Sequence, residues 1–251
     1  MFIMIDMLTA SQWITICASA VLIGMSKTGI QGVTALTVPY MAIAFGAKES
    51  TGIILPMLCM ADIMAVSYFR KTADWKAVAR LLPAAVTGSF IAIWVDEQVP
   101  ASDFRFLLGL ALLTVFLVML WSEFTGSQNK WAHAWWFAPF FGLLGGFVTM
   151  IGNAAGSVMA VYLLSMRKEK MEYIGTNAWF FLVVNLLKLP LQILVWHNIT
   201  FDSFKLNLLM LPFLGLGAFT GLRIVKRFSD KSFHRFIQIV TAFSVVLMIA
   251  R

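Results

Sequence analysis

The chain reads as an all-α polytopic membrane protein, made of two inverted-topology repeats with about 8–10 transmembrane or re-entrant helices. Three observations predict this. Of 251 residues, 60% are hydrophobic and 12% charged, where a soluble domain has about a quarter charged. Apolar runs near the roughly 17–25 residues of a membrane-crossing helix recur along the whole length. The runs also fall into two matching sets whose loops carry opposite charge bias. A transmembrane barrel would instead show alternating segments of about ten residues, which are absent. Polar stretches are too short for a sizeable extramembrane domain.

In the first half the apolar segments are roughly 10–25, 33–46, 51–69, 78–95 and 104–122. In the second they are roughly 134–149, 156–166, 174–196, 204–222 and 234–250. The second segment of each half is short and follows a glycine-bearing polar break. Sliding the chain on itself by the 123 positions that separate Gly29 from Gly152 brings Val38 onto Val161, Glu49 onto Glu172 and Gly52 onto Gly175. Asp62 then meets Asn185. With about six more positions of offset, Pro83 meets Pro212, Gly88 meets Gly217 and Phe104 meets Phe233. These matches predict one membrane domain of two repeats, 1–125 and 126–251.

Charge sets their relative orientation. The loop after the third segment holds Arg70, Lys71, Lys76 and Arg80, so it should face the cytoplasm, and the "DEQVPASD" loop should face out. In the second half the bias is exchanged: "HNITFDSFK" is poor in basic residues, and the following loop holds Arg223, Lys226, Arg227 and Lys231. Equivalent loops on opposite sides require each half to cross an odd number of times. The first two segments of each half must then return to the side they started from. Both termini are expected outside the cytoplasm. "MFIMIDMLTA" lacks the basic region and small-residue site of a cleaved signal peptide.

The first break, "GMSKTGIQG" at 24–32, lies between segments too short for a 30 Å hydrocarbon core. That predicts a broken helical hairpin whose freed backbone is buried in protein or lines a wet cavity. The partner break is "MIGNAAG" at 150–156. Helices starting near Gly32 and Gly156 would present unpaired N–H groups and positive dipole ends to an anion. Lys27 would add a full charge, and Ser26, Thr28, Gln31, Asn153 and Ser157 would add neutral donors. Gly29, Gly152 and Asn177 complete the candidate substrate site. Two plainer readings stand beside it: the glycines allow close helix packing, and Lys27 snorkels to the interface.

Asp62 and Lys188 are the two ionisable residues deep inside segments, which marks them as functional candidates. Asn185, three residues before Lys188, shares its helix face. These three are candidates for coupling or gating. Asp62 either carries a coupling proton or pairs with Lys188, and a static buried contact is the plainer alternative. Most tryptophans lie near segment ends as interfacial belts, whereas Trp179 is deeper. Prolines 39, 56, 83, 139, 190 and 212 predict kinks.

Other function classes lack support. The formal charge of +7 sits in short loops and does not suggest nucleic acid. Cys17, Cys59 and the isolated His133, His197 and His234 form no metal-ligand or catalytic grouping. No cofactor is expected, and no nucleotide-binding motif points to an ATP-driven pump.

The stretch "GMSKTGIQGVTALTVPYMAIAFGAKESTGIILPMLCMADIMAVSYFRKTADWKAVARLLP" resembles the first repeat of the TauE/SafE sulfite exporter family. The shared pattern is a Gly-rich break, the pair Val38–Pro39, the turn Gly46-Ala47-Lys48-Glu49, and the aspartate of the third segment. "GLLGGFVTMIGNAAG" and "YIGTNAWFF" are similar to the second repeat. The first break departs from the common pattern, its glycines diluted by Ser26, Lys27 and Gln31. The resemblance implies secondary transport of a small sulfur-containing anion, sulfite or an organosulfonate, across the bacterial cytoplasmic membrane. An anion channel is the alternative. The expected partners are the small anion and membrane lipid, with a second copy of the chain as a candidate for a homodimer.

Overall fold

A computed structural model describes residues 8–30, 33–98, 114, 117, 134–153 and 155–249. Regular structure among the described residues is all helical. In chain order the helices are α1 (Ala10–Thr28), α2 (Thr34–Phe45), α3 (Ala47–Phe69), α4 (Trp75–Gln98), α5 (Phe137–Gly152), α6 (Gly156–Ser165), α7 (Lys170–Leu194), α8 (Phe201–Leu209), α9 (Leu211–Arg227) and α10 (Asp230–Ile249). Apart from positions 114 and 117, the expected segment 104–122 lies outside the described residues.

Stretches 49–69, 75–96 and 170–194 are long and apolar enough to cross a membrane, and α8 with α9 forms a fourth candidate bent by 49°. The bend falls where Pro212 enters the first turn of α9, because proline there cannot donate to the preceding turn. What reads as one segment, 204–222, is therefore two helices.

The short helices fold back in pairs. At about 1.5 Å per residue, the 12 residues of α2 and the 10 of α6 fall well short of a bilayer core. Gln12, in the first turn of α1, donates from Nε2 to Ala44 O at the end of α2, at 2.9 Å. A capping box between Thr9 and Gln12 fixes that start. At the other hairpin, the Phe137 ring at the start of α5 stacks on Tyr162 near the end of α6, with centroids 5.5 Å apart. The hairpins enter from opposite ends: α3 begins beside the open end of the first, and its last turn reaches Gly175 at the start of α7. Helices α3 and α7 thus run antiparallel.

Packing crosses the sequence halves. The largest helix interfaces are α4 on α5 and α1 on α9, followed by α3 on α7. One apolar core joins α1, α2, α3, α8 and α9 through Ile16, Ile23, Met41, Ile53, Met57, Leu206 and Leu214. A second centres on α4 to α7 through Leu81, Ala85, Phe141, Val158, Tyr162 and Phe180. Glycines permit the close approaches. A Cβ on Gly24 would strike Leu214 O, and one on Gly217 would strike Val21 O. On the other side, Gly146 faces Ala85 O and Gly88 faces Leu143 O in the same way. Gly24 therefore belongs to a helix seam and not to the break, since α1 continues to Thr28 before Gly29 ends it with φ +158°.

The basic loops gather at one end. Lys168 bridges Asp74 of the α3–α4 loop and Glu172 of α7. Lys170 Nζ donates to Phe228 O beyond α9 at 2.6 Å. Burial alone would raise the Asp74 carboxyl. The hydrogen bonds from Lys168 and the backbone N–H of Ala77 outweigh it and hold Asp74 below its ordinary value. Burial likewise works to lower Lys168, but its bonds to Asp74 and Glu172 win and raise it.

Candidate functional site

The two breaks converge on a small polar cavity at the seam between the packing units. The first unit lines it with Ser26, Lys27, Thr34 and Leu58. The second contributes Thr149, Asn153, Gly156, Asn177, Phe181 and Asn185. Its volume is about 20 Å³, space for a water molecule and too little for a three-oxygen anion.

Each wall follows from local structure. Helix α1 ends at Thr28, so Ser26 and Lys27 ride its last turn into the seam. Helix α2 restarts at Thr34, whose hydroxyl lies 3.3 Å from Ser26 Oγ. Helix α5 ends at Asn153, a left-handed residue with φ 53°, a conformation asparagine tolerates better than most. Helix α6 restarts at Gly156, where an added Cβ would lie 3.9 Å from Thr34 Oγ1. The first turns of α2 and α6, with their positive dipole ends, therefore meet at the cavity. Along α7, Asn177, Phe181 and Asn185 recur at four-residue spacing on one face.

Charges lie on or just behind these walls. Lys27 Nζ forms an ion pair with Asp62 Oδ1 at 2.9 Å. It also lies 4.0 Å above the Phe181 ring. Asp62 Oδ2 accepts from Asn185 Nδ2 at 2.7 Å. Lys188 Nζ donates to Thr149 O at 2.6 Å, Thr149 Oγ1 at 3.2 Å and Asn153 Oδ1 at 2.6 Å. Asp62, Asn185 and Lys188 are all 0% exposed. The direct pairing of Asp62 with Lys188 does not form, because Lys27 and Asn185 already occupy the carboxylate. Lys27, 7% exposed, is turned inward to Asp62 and Phe181 and does not snorkel.

Of the residues singled out in the sequence, Ser26, Lys27, Asn153, Gly156, Asn177 and Asn185 line the cavity. Asp62 and Lys188 stand behind it, each bonded to a lining residue. Thr28 lies off it, since its hydroxyl donates to Gly24 O at 2.9 Å and Ala218 O at 3.0 Å across the α1–α9 seam. Gly29 also packs away, against Val225. Gly152 closes α5, and Ser157 is buried one residue past the lining. Gln31 and Gly32 lie outside the described residues. Trp179 stacks near Trp75, with centroids 4.6 Å apart, and takes no part.

Sequence reasoning missed Thr34, Leu58, Thr149 and Phe181. Three had a signal in helical spacing: Leu58 lies four before Asp62, Thr149 four before Asn153, and Phe181 midway between Asn177 and Asn185.

The family model for sulfite exporter TauE/SafE matches residues 16–248. No curated protein and no solved structure matches the chain. Both breaks, the crossed helix seams and the cavity all fall inside the matched stretch. This multi-pass membrane protein belongs to the TauE/SafE sulfite exporter family.

Proposed function

We propose that the chain is a secondary transporter of a small sulfur-containing anion, sulfite or an organosulfonate, bound in the cavity where the breaks meet. The observation that carries this reading is the convergence of two helix N-termini with hydroxyl and amide groups and Lys27. Oxyanions only accept hydrogen bonds, and this wall is rich in donors. Asn153 Nδ2 is buried and has no partner among the described residues, so it is a donor in search of an acceptor.

The chain is read as two inverted repeats, 1–125 and 126–251. Three features support this: the antiparallel α3 and α7, hairpins entering from opposite ends, and reciprocal glycine seams. A further support is that Asp62 bonds Asn185, a residue 123 positions away, the same offset that aligns the halves. The moving bodies are then the two packing units, with α4 and α9 exchanged between halves. Rocking them about the α3–α7 seam would widen the water-sized cavity to each side in turn. A site that closes this tightly favours a carrier over an open anion channel. The basic end faces the cytoplasm of a bacterial inner membrane, with both termini outside.

Uptake into proteoliposomes of sulfite, thiosulfate, ethanesulfonate and sulfate tests the reading. Saturable flux of sulfite or a sulfonate that responds to an imposed proton gradient is expected. Cation flux with no anion flux would overturn it.

A further inference from the structure

Resting on the anion reading above, we infer that the site holds one net positive charge, supplied by Lys188, and therefore selects monoanions over dianions. Among the described residues, the ionisable groups facing Lys188 are Lys27 of α1 and Cys59 and Asp62 of α3. Cys59, a thiol, adds no charge. Helices α5 and α6 offer only Tyr162, and the charged residues of α10 sit in its first two turns at the basic end.

Lys27 and Asp62 neutralise each other at 2.9 Å within one packing unit. Lys188 belongs to the other unit and has no such partner among the described residues. Its three contacts, Thr149 O, Thr149 Oγ1 and Asn153 Oδ1, are all neutral acceptors, matching the three donors of an ammonium. It is 0% exposed, and a buried charge without a counter-ion is costly. The missing counter-charge is the substrate's.

Asn153 transmits the preference. Its Oδ1 is committed to Lys188, which leaves the Nδ2 amide to face the cavity that Asn153 lines. Lys188 is thus a positioning residue. It orients the donor and contributes field without touching the anion. A monoanion cancels the single positive charge, whereas a dianion would leave a buried negative charge in its place.

The test is binding to purified full-length protein in detergent micelles, with ethanesulfonate, sulfite and sulfate as probes, each measured over a pH series. Ethanesulfonate stays a monoanion across neutral pH, so its affinity at each pH is the reference against which the other two are read. Sulfite should weaken relative to ethanesulfonate as pH rises and bisulfite gives way to the dianion. Sulfate should bind at least tenfold more weakly than ethanesulfonate. Asp62→Asn, which adds one positive charge to the balance, should shift the sulfate-to-ethanesulfonate ratio at least tenfold toward sulfate. The charge-balanced pair Lys27→Gln with Asp62→Asn should lose affinity but keep the wild-type ratio. That double variant strands no buried charge, so it also guards against misfolding of the single one. Sulfate binding as tightly as ethanesulfonate, or a ratio unmoved in folded Asp62→Asn, would overturn the charge argument alone. Binding of none of the three would overturn the anion reading beneath it.

Discussion

Replacing Lys27 by Met tests whether the buried ion pair between α1 and α3 stabilises the packing unit that contains both helices. Asp62 is 0% exposed and Lys27 7%, so neither charge finds bulk water when its partner is removed. Breaking a buried pair on one side costs about 3–5 kcal/mol, chiefly from the charge left behind. In Lys27→Met that charge is a carboxylate with one remaining bond, the 2.7 Å donation from Asn185. In Asp62→Asn it is the ammonium, still 4.0 Å above Phe181, a cation–π contact that offsets about 0.5–2 kcal/mol. Lys27→Met should therefore be the worse single variant. The double variant removes both charges, and replacing a buried pair with uncharged groups is often neutral. Thermal unfolding in detergent, followed by tryptophan fluorescence, reads the cycle. At about 2–4 °C per kcal/mol, Lys27→Met should melt about 6–20 °C lower, Asp62→Asn by less, and the double variant near wild type. A Lys27→Met protein melting within about 2 °C of wild type, or a double variant no better than the worse single one, would refute the reasoning.

Three further outcomes follow from the geometry. Gly146→Ala would drive a Cβ into the Ala85 backbone and should destabilise by about 1–3 kcal/mol as overpacking does. Gly215→Ala, with nothing within 4 Å, should be neutral or slightly stabilising, and equal melting points for the two would reject the seam. At the basic end, Asp74 has a depressed folded value, so its contribution is present above the unfolded carboxylate value near 3.9 and fades as pH falls through the folded one. Acid melting curves of Asp74→Asn should lack that last loss, and curves that superpose on wild type would exclude the Asp74–Lys168 bridge as its source. An external-accessibility reporter fused after residue 251 should read outside the cytoplasm, and a cytoplasmic signal would break the orientation drawn from loop charge.

Much of this was legible in composition and spacing. Apolar runs, basic loops and the short paired segments are local properties, so membrane class, helix order and the interrupted hairpins follow from them. The 123-residue offset pointed to Asp62 and Asn185 as equivalents. It did not say that they touch, because contact between equivalent residues depends on where two antiparallel helices cross. Fine detail at the breaks also escaped. Gly24 and Thr28 look like loop residues beside Lys27, yet the helix runs through them, because Ala218 O accepts the hydroxyl and the Leu214 backbone fills the space a side chain would need.

By itself, then, the sequence determined that this is a helical membrane protein with two polar interruptions, a lysine in one and an asparagine in the other, and two ionisable residues at depth. Periodicity, hydrophobicity and loop charge act along the chain and need no fold to be read. Only the tertiary structure decided the partners. It gave Asp62 to Lys27 and not to Lys188, hung Lys188 on Thr149 and Asn153, and packed α4 and α9 against the opposite halves. Those choices depend on which helix faces meet and how closely, and that is set by small residues at seams far apart in the chain.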